Sequence, residues 1–291
     1  MLYMPDPICG YYRGTRFDWS GVVAALECAG HNYFGPWFER HDPMVHDAIT
    51  GPVEEFQTNG AGLGYAEADA GGAFVRIGVG VVRKPEESAY RQFGTYEILD
   101  PGRWKCHHGR TDLEFVHELD GGSGYEYIYR KNVRLLDGRA ILVLEHSLKN
   151  TGCRPIETTQ YNHNFFVIDG LPSGPDFVVE FPFEVQALGD LKGLAEIRGR
   201  QLVYLQELRK GQSILTPLAG FGETAADYDI TISNRRTGAG VRIKSDQPIS
   251  KLVFWSIRTT LCPEPYVTFQ LDPDREACWA IAYQFYTLTD G

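Results

Sequence analysis

Two stretches of the chain place proton-exchanging side chains in settings that hold them still. Residues 161–170 read YNHNFFVIDG, with His163 between Asn162 and Asn164 and a run of large apolar residues behind. Residues 254–271 read FWSIRTTLCPEPYVTFQL, with Glu264 between Pro263 and Pro265. Imidazole and carboxylate are the usual general acid–base groups near neutral pH. The two prolines fix φ and remove donors, which predicts that the stretch is not an ordinary central strand and that one carboxylate is held in a set direction. Taken singly, His163 reads equally well as a histidine hydrogen-bonded to turn backbone, and Glu264 reads more readily as a surface carboxylate.

Other chemistry-bearing stretches carry less. KCHHGR (105–110) suggests a metal cluster, but adjacent strand residues point to opposite faces, so His107 and His108 are poorly placed to share an ion. No further ligands follow at zinc-site spacing, and the pair reads as structural or substrate-contacting. NGAGLG (59–64) lacks the phosphate-binding glycine spacing and leads into YAEADAGG rather than a helix. No GxSxG elbow is present. The six cysteines, Cys9, Cys28, Cys106, Cys153, Cys262 and Cys278, are scattered and form no CxxC pair, which predicts reduced thiols in a cytosolic protein.

The elements that must position these residues are strands. FVRIGVGVVRK (74–84), YEYIYRKNVRLL (125–136), AILVLEHSLKN (140–150) and VRIKSD (241–246) alternate apolar and polar residues, punctuated by the turn triplets LDG, NTG and RTG. Helical signals are confined to a turn or two in 41–49 and 204–214. No βαβ alternation, repeat or linker appears, and the reading is one antiparallel β-sandwich domain over 1–291. The N-terminus shows no basic segment followed by an apolar run, and no stretch approaches the roughly 18 apolar residues of a membrane span. A net charge of −10 argues against nucleic acid and anionic membranes and suits a neutral or weakly charged small ligand.

Together and in this order, the two motifs resemble the galactose mutarotase-like family, which includes aldose 1-epimerases and hexose-6-phosphate mutarotases. The family's "NH-x-[YF]-F" stretch after an NTG-type turn is similar to NHNFF at 162–166, and its later "[LI]-C-x-E-P" is similar to LCPEP at 261–265. The closing LDPDREACWAIAYQFYTL and the opening RFDWSGVVAALECAGHNYF resemble the family's last strands and first hairpin, so the resemblance spans most of the chain. It implies an all-β, antiparallel β-supersandwich with a sugar cleft on one concave sheet, His163 as general acid and Glu264 as general base. It further implies an arginine (Arg76, Arg16 or Arg13), a second histidine (His107 or His108) and an acidic residue (Asp229, with Asp227 as rival) around the sugar. Asn162 and Trp255 join the candidate contacts, the tryptophan as an apolar platform ahead of Glu264. GPVEEF (51–56) stands where hexose-6-phosphate mutarotases carry a "P-x-[VC]-[FW]-P" stretch, and the acidic Glu54 and Glu55 speak against a phosphate there. The chain reads as a divergent branch.

The implied reaction interconverts the α and β anomers of a free sugar. Glu264 takes the C1 hydroxyl proton, His163 gives one to the ring oxygen, and each one's charge favours the other's state. No metal and no organic cofactor is required. The expected partner is a small-molecule carbohydrate, with the protein a monomer or homodimer. A polysaccharide lyase, for which Tyr161, Asn162 and Arg76 are available, or another carbohydrate-processing enzyme on the same fold is the alternative enzyme, and a non-catalytic sugar-binding protein is the alternative outside catalysis. The binding protein would not need both His163 and Glu264.

Overall fold

The computed structural model describes residues 1–121 and 123–288. Period-two alternation produces strands nearly everywhere it occurs. The only helical pieces among the described residues are two single 3-10 turns, Ile168–Gly170 and Ala225–Asp227. The helical turns anticipated in 41–49 and 204–214 are loop: Pro43 and Gly211 interrupt runs too short to pass the nucleation cost of a helix. The 74–84 run is a hairpin rather than one strand. Ala73–Arg76 pairs with Gly80–Arg83, and the chain reverses through Gly78 at φ 77°. A Cβ at Gly78 would stand 2.5 Å from Asp18 Oδ1, so the turn needs glycine on both counts. No helix among the described residues is long and apolar enough to cross a membrane.

Among the described residues, two antiparallel sheets carry the architecture. The larger has ten strands and runs from Ala195–Arg198 at one edge to Arg103–His108 at the other, with Glu276–Thr287 and Ile141–Asn150 near its centre. The smaller has six, in the order Gln186–Ala187, Ser213–Ala219, Lys251–Ile257, Thr260–Leu271, Ile156–His163 and Val53–Gln57. Their inner faces share one apolar core. Phe56 meets Tyr129 edge-on at 5.2 Å and Phe269 packs on Trp279 at 4.5 Å. Each such fully buried side chain contributes about 1.5–3 kcal/mol.

That core also holds charge. Lys131, on the larger sheet, reaches Glu54 on the smaller, and His146 Nε2 stands 3.0 Å from the same carboxylate. Asn162 Nδ2 donates to Glu54 Oε1 at 3.0 Å. The outer face of the six-stranded sheet is covered at one end by a second apolar layer. Phe17, Trp19, Ile49, Phe74, Val82 and Tyr96 pack there against Val53, Phe165 and Cys262. A strand sandwiched this way is buried on both faces, and Thr260–Val267 is buried at every residue.

Candidate active site

Ile156–His163 and Thr260–Leu271, the histidine and glutamate strands, are neighbours in the six-stranded sheet. The glutamate strand is central and holds both prolines, which corrects the expectation that they forbid it. Parity gives the reason. Successive strand residues turn their N–H and C=O groups to opposite neighbours. Leu261 exchanges backbone bonds with Phe166 at 3.3 and 3.4 Å, so Pro263 and Pro265 also face the histidine strand's side. There the ladder is already open, between the Tyr161–Tyr266 pair and the Phe166–Leu261 bridge. Neither missing donor costs a ladder bond, while Glu264 faces the other way and stays in register with Val253.

Carried two residues past Tyr161–Tyr266, the same register sets His163 across from Glu264 in the opening. The side chains close the gap, with His163 Nε2 3.2 Å from Glu264 Oε1 and each residue only 5% exposed. The pair lacks hydrogen-bond alignment: Glu264 Oε1 and His163 Nδ1 are both buried without a partner. The imidazole is boxed by Phe165, stacked on it at 3.7 Å, and by Phe17 and Trp255, which meet it edge-on at 5.7 and 5.2 Å. Gly51 permits the close packing behind it, since a Cβ there would stand 2.6 Å from the His163 carbonyl oxygen.

Burial dominates the electrostatics. It holds His163 well below the ordinary histidine range, helped by the positive charge of Arg16. It pushes Glu264 up to about 8, with Glu55 adding to the rise and Arg16 opposing it. Burial thus favours the neutral form of both groups, against the charge-separated pair that a protonated imidazole and an ionised carboxylate would make.

Of the three candidate arginines, Arg16 is the one whose charge acts on both His163 and Glu264. Its Nε donates to Glu55 Oε2 at 2.7 Å and its Nη2 to the Tyr161 hydroxyl at 3.0 Å, while Tyr161 donates to Glu55 Oε2 at 2.5 Å. Gln57 donates to the other Glu55 oxygen at 2.8 Å. Phe93, 61% exposed, lies 5.0 Å over the Arg16 guanidinium, and the His46 ring packs on Phe93 at 4.8 Å. Arg76 is 2% exposed and donates to the carbonyls of Thr15, Ala61 and Arg16, and its Nη2 also stands 3.6 Å from Glu55 Oε1, so it ties backbone together behind that carboxylate.

The structure also brings Trp255 to the pair and leaves Asn162, the two histidines, the two aspartates and Arg13 elsewhere. Asn162 follows Tyr161 by one residue, so it faces the inner core and Glu54. His107 and His108 lie on the edge strand of the other sheet. Asp229 is also on the larger sheet, where it accepts from Arg242 at 2.6 and 2.5 Å. Asp227 caps its own 3-10 turn through Thr224, and Arg13 binds the Ile8 carbonyl. Glu55, Tyr161 and Cys262, which had no place in the mutarotase reading of the sequence, share this face and follow by stepping in twos along each strand from His163 and Glu264 and across one ladder. A cavity of about 810 Å³ opens in a different place, between Leu26, His108, Arg110, Leu135 and Ile141, and neither His163 nor Glu264 lines it.

No family model matches the sequence, and none of the curated proteins does. Solved structures do resemble it. A galactose mutarotase-related enzyme from Lactobacillus acidophilus is 12% identical with a TM-score of 0.58, covering 100% of this chain and 99% of that one. A galactose mutarotase-like protein from Clostridium acetobutylicum is 13% identical with a TM-score of 0.58 and 94% coverage of both chains. Another from Lactobacillus casei is 11% identical with a TM-score of 0.56, covering 98% of this chain and 100% of that one. At these identities the likeness is one of fold: the chain has the all-β, antiparallel, galactose mutarotase-like fold.

Proposed function

We propose that the protein is an aldose 1-epimerase-like isomerase that interconverts the α and β anomers of a free sugar, with His163 and Glu264 as its proton-transfer pair. The observation that carries this reading is the buried contact of 3.2 Å between Nε2 and Oε1, with the carboxylate oxygen left unpaired. A carboxylic acid beside a neutral imidazole holds the same number of protons as a carboxylate beside an imidazolium. The neutral resting pair therefore leaves the reaction intact and exchanges the opening roles. His163 takes the C1 hydroxyl proton, and Glu264 gives its proton to the ring oxygen as the C1–O bond of the ring breaks. Rotation about C1–C2 presents the other carbonyl face, and the two groups return the protons on closure. Positioned transfer of this kind contributes about 10²–10⁴-fold.

Trp255 supplies an apolar wall beside the pair, and Arg16, tied down by Glu55 and Tyr161, supplies a fixed cation at its edge. Each group is 5% exposed, so a sugar ring reaches the pair only when side chains covering it give way. The lyase alternative needs Tyr161 as a base. Burial holds that hydroxyl well above its usual range, and it already donates to Glu55, which disfavours the role.

The test is NMR exchange spectroscopy of anomer interconversion across free hexoses, pentoses, uronic acids and hexose 6-phosphates. Acceleration by the wild type that is lost in Glu264→Gln and strongly reduced in His163→Asn supports the reading. Wild-type rates in both variants would overturn it.

A further inference from the structure

We infer that the outer face of the six-stranded sheet binds a soft divalent cation of the Zn²⁺ and Cd²⁺ class at His163, Cys262 and Glu264, in competition with protons. The strands build the ligand set. Cys262 and Glu264 are two apart on one strand and leave by the same face, and His163 enters from the strand alongside. One ligand atom from each lies within 4.8 Å of the others, and all three residues are buried. A second observation points to a ligand. Glu264 Oε1, in a residue 5% exposed, has no partner although it stands 3.2 Å from the imidazole. The sulfur is also prepared: Cys262 Sγ accepts the Phe165 N–H at 3.2 Å, an outer contact of the kind that steadies a metal-bound thiolate.

The chemistry of the set selects the ion. One nitrogen, one sulfur and one oxygen with a further position open is a tetrahedral zinc-type arrangement, and the thiolate disfavours Mg²⁺ and Ca²⁺. Binding requires the thiol in its thiolate form, so protons leave as the ion enters. The cation then occupies the lone pairs that move protons, which makes it an inhibitor. That consequence rests on the acid–base reading above, whereas the binding itself does not.

The experiment titrates Cd²⁺ into chelator-treated full-length protein and follows the ultraviolet thiolate-to-cadmium charge-transfer band, with proton release read in weak buffer. Five other cysteines are present, so the measurement is repeated on a variant with Cys9, Cys28, Cys106, Cys153 and Cys278 all changed to serine. The expected result is a band that saturates at one equivalent with protons released, survives in the five-serine variant and disappears in Cys262→Ser. His163→Asn is expected to weaken binding by at least about tenfold, the lower end of what even outer-shell changes cost. Failure of the five-serine variant to show the band, or its persistence in Cys262→Ser that melts like wild type, would overturn the site. Anomer exchange is followed in the same samples with Zn²⁺. A one-equivalent band without inhibition would keep the metal site and count against the acid–base reading. Intact exchange with no band would do the reverse.

Discussion

Glu54 and Glu55 are adjacent in the strand Val53–Gln57, so their carboxylates leave the six-stranded sheet by opposite faces. Both are fully buried, and each belongs to a charged cluster. On the inner face Glu54 is saturated: Lys131 on one oxygen, His146 and Asn162 on the other. On the outer face Glu55 is saturated in the same manner by Arg16, Tyr161 and Gln57. The difference is the next carboxylate. The outer face adds Glu264, buried, with one oxygen unpaired beside His163. The inner core keeps unpaired atoms of its own, His146 Nδ1, Gln160 Oε1, Tyr228 Oη and Trp279 Nε1 among them, but none of these belongs to a carboxylate. Burying a charge is tolerable when its partners are complete. A carboxyl left incomplete in that setting keeps its proton and remains available for chemistry.

The same substitution on the two faces is the sharpest way to break this comparison. Glu264→Gln is expected to lower anomer exchange by about 10²–10⁴-fold. Its thermal midpoint should hold or rise, because the variant removes an ionisable group whose oxygen was unpaired. Glu54→Gln is expected to destabilise by about 3–5 kcal/mol in urea unfolding, because it strands the buried Lys131. If Glu264→Gln unfolds the protein, or Glu54→Gln leaves stability untouched, the functional and structural faces have been assigned the wrong way round.

Acid and base titrations separate the faces next. Burial pushes Glu54 up, but Lys131 and His146 outweigh it and hold the carboxyl at about 2. A depressed folded value contributes stability above the unfolded value near 4.5, and that contribution is lost as pH falls towards about 2. Glu264 carries the opposite sign. Its raised value, about 8, contributes stability below 4.5 that is lost as pH rises to about 8. Glu264→Gln should therefore flatten the alkaline decline in stability and spare the acid one. Asp18, raised to about 7 chiefly by burial, keeps part of that decline in the variant. In chelator-treated enzyme, anomer exchange should fall as pH rises through about 8, when Glu264 loses the proton it donates. The rate should hold as pH falls through 6.5, since His163 stays neutral well below that value. A rate that climbs through pH 8 would mean that the pair's proton is not needed for the reaction, against the acid–base reading.

What was legible in the residues follows the same parity. Alternating runs specified strands, and the spacing of turn residues specified antiparallel connections. His163 and Glu264 were readable as a pair through a resemblance, and the ladder register supplies the physical reason they meet. Asn162 was misplaced by adjacency to His163, which in a strand means the opposite face. Arg16 and Arg76 were indistinguishable by sequence, because only packing shows that Arg76 donates to backbone carbonyls. The prolines misled for a similar reason. Whether a missing N–H matters depends on which neighbour it faces and whether the ladder there is open, and neither is written in the local residues.

Asp229 provides the smallest expected effect. It lies on the larger sheet, paired with Arg242 and 3.3 Å from Lys244, in a polar groove that includes Glu180, Arg200 and Tyr286. Arg242 and Lys244 are both exposed, so solvent screens the network and Asp229→Asn should cost about 0.2–1 kcal/mol. Anomer exchange in that variant should match wild type, because no strand of the six-stranded sheet pairs with the one that carries Asp229. A tenfold loss of exchange with an unchanged melting midpoint would mean that the larger sheet's outer face takes part in the reaction. The contrast between the two faces of the smaller sheet would then no longer be enough to locate the site.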